Sequence, residues 1–470
     1  MQVVLNNFSG GIDRNLSGRL ADLKKAQMSY NFNFSGGALK HDVGFEALFG
    51  GKIATCDGLD SLIIGDDGAY NGCIFLYQRY DFEREKQDDK LVIFDKNFDG
   101  YYINLFASEP KLLPLNISFS AKPTAENYRL SGKDVLIMAS SENNMVVWDG
   151  ENPPEVIVDA PRISSMDIHY ERLFATSAKS EYTLNFSDDL DPTNWSESLN
   201  DAGFIDFVDE RGKLKKVLSF NDYLYGFRER GISRVYASSV DQTGFYVNHL
   251  FTAGGRIIPS TISLCGDKII FMATDGMYVF DGSSAYRKLP SVFPLIDLSV
   301  SPVATFNNGK YYLACHVDFC ENKSAKKGVC NALLEVDAET FEYKLIKGRN
   351  ILDILSLSIG GEEKLVLLTS NGESHLEVLS SAGDFSPALY KTGLTPLVSS
   401  RERKVLRGVA VVGEKENMVT LFNEKGERLS VLFSDGSGSE SVCFSFKKLG
   451  VEIKSLSLGS VVEEVCLKIY

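Results

Sequence analysis

The sequence predicts an all-β fold: a six- or seven-bladed β-propeller, preceded by an extended N-terminal arm and followed by a small antiparallel β-sandwich. Three observations carry that reading. The first is composition, with 30 Phe, 20 Tyr and 40 Gly but only two Trp in 470 residues. Aromatic and β-branched side chains suit a pleated, half-buried surface, and glycine suits the turns between strands. The second is the scarcity of helical periodicity. The best helical stretch is short, from Leu20 to Tyr30, with Leu20, Leu23 and Met28 around Lys24 and Lys25. The third is a hairpin unit that recurs between residues 52 and 384.

Lys268 to Gly282, KIIFMATDGMYVFDG, shows the unit most plainly. An apolar strand leads to an Asp275-Gly276 turn, a return strand follows, and Asp281-Gly282 closes it. Related units run from Ile74 to Asp95, Asp134 to Gly150, Arg172 to Asp188, Tyr223 to Ser238, Lys310 to Asp337 and Lys364 to Ser380. Taking one marker in each, from Leu76 to Leu367, the mean step is (367 − 76)/6 = 48.5 residues. Four strands with their turns occupy about 40–50 residues, the period of a propeller blade. Spaced hairpins alone would also suit a pair of β-sandwiches. The same turn chemistry over the whole stretch favours the propeller.

The two ends read differently. In residues 1 to 51, Phe8-Ser9-Gly10-Gly11 is a glycine-hinged arm. Tyr30 to Phe34 alternates apolar and polar residues as an edge strand does, with Asn31 on its polar face, and Gly36-Gly37 turns the chain. No buried set of its own is legible there, so Phe8, Gly10, Gly11, Asn31, Gly36 and Gly37 are expected to contact the propeller or a neighbouring subunit. Residues 385 to 470 hold six alternating segments, the first at Lys404 to Val412 and the last at Glu463 to Tyr470. Short strands at that turn density suggest a sandwich.

Charge and motifs narrow the function classes. The net charge is −14, against a nucleic-acid binder working through a basic face. Residues 391 to 470 carry 12 Lys or Arg and 10 Asp or Glu, which leaves 37 against 53, or −16, on the first 390 residues. No apolar run approaches the ~18 residues of a membrane helix, and the opening MQVVLNNFSGGIDRNL lacks a basic-then-apolar leader. No membrane insertion, secretion or disulfide framework is therefore expected of the eight cysteines. None of the five histidines falls in a metal-spaced pair or beside a nucleophile motif. Cys315, His316, Cys320 and Cys330 are the one spacing that hints at metal, and paired ligands are missing. The expectation is no enzyme and no cofactor. Asp188, Asp189, Asp191, Asp206, Asp209 and Glu210 form acidic runs that a glycosidase or a calcium site would use. The same residues make ordinary turns. Trp148 and Trp195 are expected to pack between blades rather than stack on sugar.

Three stretches resemble tail proteins of bacteriophages. The opening FSGGIDRNL…SYNFNFSGGALKHDVGFEAL resembles the start of many tailed-phage virion proteins. HYERLFATSAKSEYTLNFSDDLDPTNW is similar to a blade sequence of that class. LYGFRERGISRVYAS with ISLCGDKIIFMATDGMYVFDG resembles blades of tail nozzle proteins, the tail tubular protein B or stabilisation-protein type. The resemblance covers residues 1 to about 290. It implies a structural protein of the virion tail, assembled in the bacterial cytoplasm as a homo-oligomeric, hexameric ring below the portal and adaptor. Other tail parts, a fibre or spike, would be partners, and DNA would exit through the ring without sequence-specific binding. Asp188, Asp189, Asp206, Asp209 and Glu210 would then line an acidic lumen that keeps the duplex centred. A carbohydrate-binding or carbohydrate-active propeller, and a tail fibre connector, are the alternatives that the residues leave open.

Overall fold

The computed structural model describes residues 1–13, 23–49, 72–82, 85–177, 179–196, 201–237, 244–319, 329–369, 376–397 and 402–470. Among these residues, seven four-stranded antiparallel blades form a propeller. The inner strands of blades 1 to 5 are Cys73–Tyr77, Thr124–Leu130, Ile163–His169, Leu214–Phe220 and Ser263–Cys265. Blade 6 starts at Val303–Asn307. Its outer strand is the first part of Tyr343–Ile359, which bends at Gly348 (φ +126°) and continues as the inner strand of blade 7. That shared strand joins the last two blades into one sheet.

Blade 7 takes its outer strand from the other end of the chain. Gly44–Ala47 pairs antiparallel with Leu376–Ser380, Phe45 opposite Leu379. The ring is therefore closed by residues that precede its first blade, so opening it means breaking a strand pair. The sequence left the blade number at six or seven; the structure has seven. The recurring hairpin is the second and third strands in every blade but the first, where Ile74 to Asp95 spans the first and second.

Each blade is apolar because it is sandwiched between two others. Lys90–Phe94, Met145–Trp148 and Gly276–Phe280 are buried at every position, which fits strands covered on both faces. The contact between blades 1 and 2 is aromatic: Trp148 lies 5.2 Å from Tyr77 and 5.0 Å from Tyr102 between ring centroids. Trp195 packs half-buried against the layer between blades 2 and 3.

The second body is a sandwich of two five-stranded sheets. All six strands expected after residue 400 are present, and Ala388–Thr392 is added. The other three come from the N-terminus. Gln2–Leu5 and Leu39–Lys40 pair with Val461–Ile469, and Ala26–Tyr30 pairs with Ala388–Thr392. Two expectations are corrected here. Ala26 to Tyr30 is strand rather than helix, and its alternation does not continue to Phe34, because the chain turns at Asn31 (φ +60°). Residues 20 to 22 of the expected helix lie outside the described residues.

Candidate functional site

The first candidate is the N-terminal segment, where sequence reasoning placed an extended arm lying against the propeller or a neighbouring subunit. Within the described residues it is engaged by its own chain. Phe8 is fully buried in the sandwich core and lies edge-on to Tyr390 at 5.2 Å. Its backbone N–H donates to the Gly37 carbonyl at 2.9 Å, and Gly36 and Gly37 both sit at positive φ in that turn. Gly10 lies so close to Lys24 that a Cβ would come within 2.4 Å of its carbonyl oxygen. Gly11 (φ +67°) faces Tyr343, whose hydroxyl accepts the N–H of Ile12 at 2.6 Å. Ile12 packs into the layer of blades 5 and 6. Asn31 is buried and bound on three sides: its N–H donates to Leu345, its Oδ1 accepts from the Lys347 N–H, and its Nδ2 donates to Ser386 and Pro387 carbonyls. These residues are the joint between propeller and sandwich.

The second candidate is the acidic set. Asp206 ends the outer strand of blade 3, Asp188 and Asp189 lie in the loop before it, and Asp209 and Glu210 in the loop after it. None of the five lines the cavity at the channel mouth, and Asp189 stands near Tyr128 on the inner strand of blade 2. They differ in their partners and in exposure. Burial works against ionisation of Asp209, but hydrogen bonds from Arg228 (2.6 Å) and Arg211 hold its carboxyl at about 2. Asp189, Asp206 and Glu210 are exposed.

Asp209 also belongs to a Ser–His–carboxylate chain. His249 Nε2 lies 3.2 Å from Asp209 Oδ2, and its Nδ1 lies 2.8 Å from Ser233 Oγ. The chemistry of a nucleophilic serine needs access to a carbonyl and donors for its oxyanion. Ser233 is fully buried in the blade 4 sheet. Burial and the nearby Arg211 hold the imidazole below its ordinary value. The chain fixes the loop Asp209–Arg211 to blade 4; with its serine covered it cannot attack a substrate.

The metal spacing separates in the same way. Cys315 and Cys330 lie on adjacent strands of blade 6, buried, and burial pushes both thiols up, Cys330 to about 12. A metal would need thiolates. The His316 Nδ1–H donates to the Val329 carbonyl at 2.8 Å, and Cys320 lies outside the described residues. Among the described residues no three His, Cys, Asp or Glu side chains come together to hold a metal.

The third candidate, which sequence reasoning missed, is the channel. Side chains bridge all seven blade junctions around it. Asn127 of blade 2 clasps blade 1, accepting from Gln78 N–H and donating to the Leu76 carbonyl, both at 2.8 Å. Tyr128 donates to the Glu171 carbonyl of blade 3 (3.2 Å). Asp167 accepts from Ser219 N–H of blade 4 (2.6 Å), and Lys216 donates to the Ile262 carbonyl of blade 5 (2.8 Å). Ser260 donates to Pro302, Asn307 to Ser356, and Asp353 accepts from Ile74 N–H of blade 1. Glu126, Asp167 and Lys216 stand on consecutive inner strands. Burial and the neighbouring Asp167 push Glu126 up to about 8, and burial brings Lys216 down to about 8. The signal in the sequence was charge inside strands of a buried ring, Glu126 in TAENYRL and Lys215-Lys216 in LKKVLSF.

No family model matches this chain, and no curated protein matches it. Among solved structures, the chain overlaps the crystal structure of BBS1N in complex with ARL6DN, soaked with lead, at 10% identity and a TM-score of 0.43, covering 70% of this chain and 96% of that one. The class is set by the strand topology itself. This is an all-β protein of one seven-bladed propeller, closed by its N-terminal segment and locked to a sandwich by the same segment.

Proposed function

We propose that the protein is a structural component of a bacteriophage tail, nozzle or hub-like, which acts by assembly and catalyses no reaction. The observation that carries the reading is the place of the opening motif. The stretch that resembles tailed-phage proteins, Phe8 to Ile12 and onward to Phe45, is the one that joins the two bodies and closes the ring. A part that bears load between neighbours needs two bodies that do not swing, and a segment threaded through both supplies that. Assembly would place the protein in the virion tail, with portal, adaptor and fibre or spike proteins as neighbours. Its propeller channel has a mouth cavity of about 690 Å³, the size of a small-ligand pocket rather than of a passage for a duplex. A DNA conduit would therefore lie between subunits, in a closed cyclic ring.

Light scattering and electron microscopy of the purified protein test the proposal. Sixfold rings are expected. A protein that stays monomeric at every concentration and cleaves or binds a polysaccharide would sink it.

A further inference from the structure

One mouth of the propeller channel is built by all seven blades, from the residues at and just before the start of each inner strand, and holds the half-open cavity of about 690 Å³. That volume lies within the ~300–1,000 Å³ of small-ligand pockets. Its two sides differ in chemistry. Blades 2 and 4 bring Lys122, Lys215 and Lys216 to it, while blades 6 and 7 bring Val303, Ala304, Leu352 and Leu355. Three lysines among the residues lining one cavity run against the −14 charge of the chain. The single carboxylate among the described lining residues, Asp353, is engaged by the backbone: its two oxygens accept from Ile74 and Ile354 N–H groups at 3.1 and 3.0 Å.

The three lysines are compensated unequally. Lys215 pairs with Glu181 at 3.2 Å. Lys122 lies 3.9 Å from Asp353, and its side chain is 48% exposed. Lys216 donates to one carbonyl, that of Ile262, though an ammonium has three protons to give. Asp167 and Glu126 act on it through space and make no ion pair with it. Lys216 itself is half-buried, and a charge partly withdrawn from water interacts more strongly than one in open solvent.

From this arrangement we infer that the channel mouth is a binding site for a small ligand with an anionic head, phosphate or carboxylate, and an apolar body. The head meets Lys216 and Lys122, and the body lies on the wall of Val303, Ala304, Leu352 and Leu355. The site stands independently of any role in a tail.

Isothermal titration of the full chain at low salt tests it with three probes: octyl phosphate, octanoate and inorganic phosphate. One equivalent of octyl phosphate or octanoate should bind, and which of the two binds tells phosphate from carboxylate. Inorganic phosphate, lacking the body, should bind at least about tenfold more weakly. Lys216→Met should weaken binding by about tenfold or more, and Lys122→Gln by a smaller factor. Lys122 is half-exposed, so its variant should fold even if the Lys216 variant does not, and thermal unfolding checks both. Absence of saturable binding of all three probes, or unchanged affinity in a folded Lys122→Gln variant, overturns the inference.

Discussion

Glu126 is held out of its ordinary ionisation range by its place on an inner strand. Burial dominates, and the Asp167 charge on the next blade adds to it, so that the carboxyl keeps its proton up to about 8 instead of 4.5. Between those values the folded chain binds a proton that the unfolded chain has released. Stability contributed by this group is therefore full below about 4.5 and is lost as pH rises toward 8. Asp167 works in the same direction over a lower window, up to about 6. Lys216 works the other way. Its pKa is lowered to about 8 from 10.5, so its contribution is present above the upper value and lost as pH falls through that window. Glu126→Gln should remove the first of these slopes. The melting temperature of the variant should match the parent near pH 4 and exceed it at pH 8, by the equivalent of about 1–2 kcal/mol. The effect is held to that size because Glu126 keeps part of its surface open to the channel. Equal melting temperatures at pH 8 would mean that Glu126 is charged and well solvated there.

The closing strand concentrates the risk at the level of elements. Phe45 on Gly44–Ala47 lies beneath the Arg349 guanidinium at 4.7 Å. Arg349 Nε in turn donates to both oxygens of Glu377 at 2.9 Å, and Thr369 donates to the same carboxylate. Glu377 is buried on the strand that Gly44–Ala47 pairs with. Glu377→Ala leaves Arg349 without its buried partner, a change that costs about 3–5 kcal/mol. Hydrogen exchange should show the amides of residues 44 to 47 opening first in that variant, while blades 3 and 4, on the far side of the ring, stay protected. Uniform loss of protection would mean that the ring opens as one unit. The element scale is also where sequence reading reached its limit. Hairpins such as Ile269 to Phe280 were legible because turn chemistry and alternation lie within a dozen residues. Gly44–Ala47 was not, because four residues carry little pattern and their partner lies over 330 positions away. Ala26–Tyr30 resembled a helix because Leu20, Leu23 and Met28, at i, i+3 and i+8, mimic helical spacing locally. Its pairing with Ala388–Thr392, and the bulge between Ala26 and Met28, are set by the far end of the chain. Lys216 was passed over because a lysine in a strand reads as solvated until the ring places its side of the strand toward the channel.

At the scale of the whole molecule, the N-terminal segment makes two bodies one part, and charge distinguishes the outside of that part from its channel. Glu210 is 85% exposed in its side chain, and Asp206 is exposed on the outer strand of blade 3 just before it, whereas Asp189 lies at the other end of that blade, in the loop held to Glu171. Asp209 contributes little free charge there, because Arg228 and Arg211 neutralise it. If subunits close a ring around DNA with this edge inward, the exposed carboxylates keep phosphates at a distance over the ~8–10 Å that salt allows. Asp206→Lys combined with Glu210→Lys reverses that sign with little demand on the fold. Asp206 loses only the hydrogen bond it accepts from Thr183, and Glu210 a long contact with Arg211. Ring mass and melting temperature should therefore stay near those of the parent. Duplex DNA should pass from no retention to measurable retention on assembled rings, and the log of its affinity should fall against log salt with a slope of about 0.9 for each phosphate engaged. Rings that form normally but never retain DNA in the double variant would place this edge outside the conduit, and the acidic surface would then serve solubility alone.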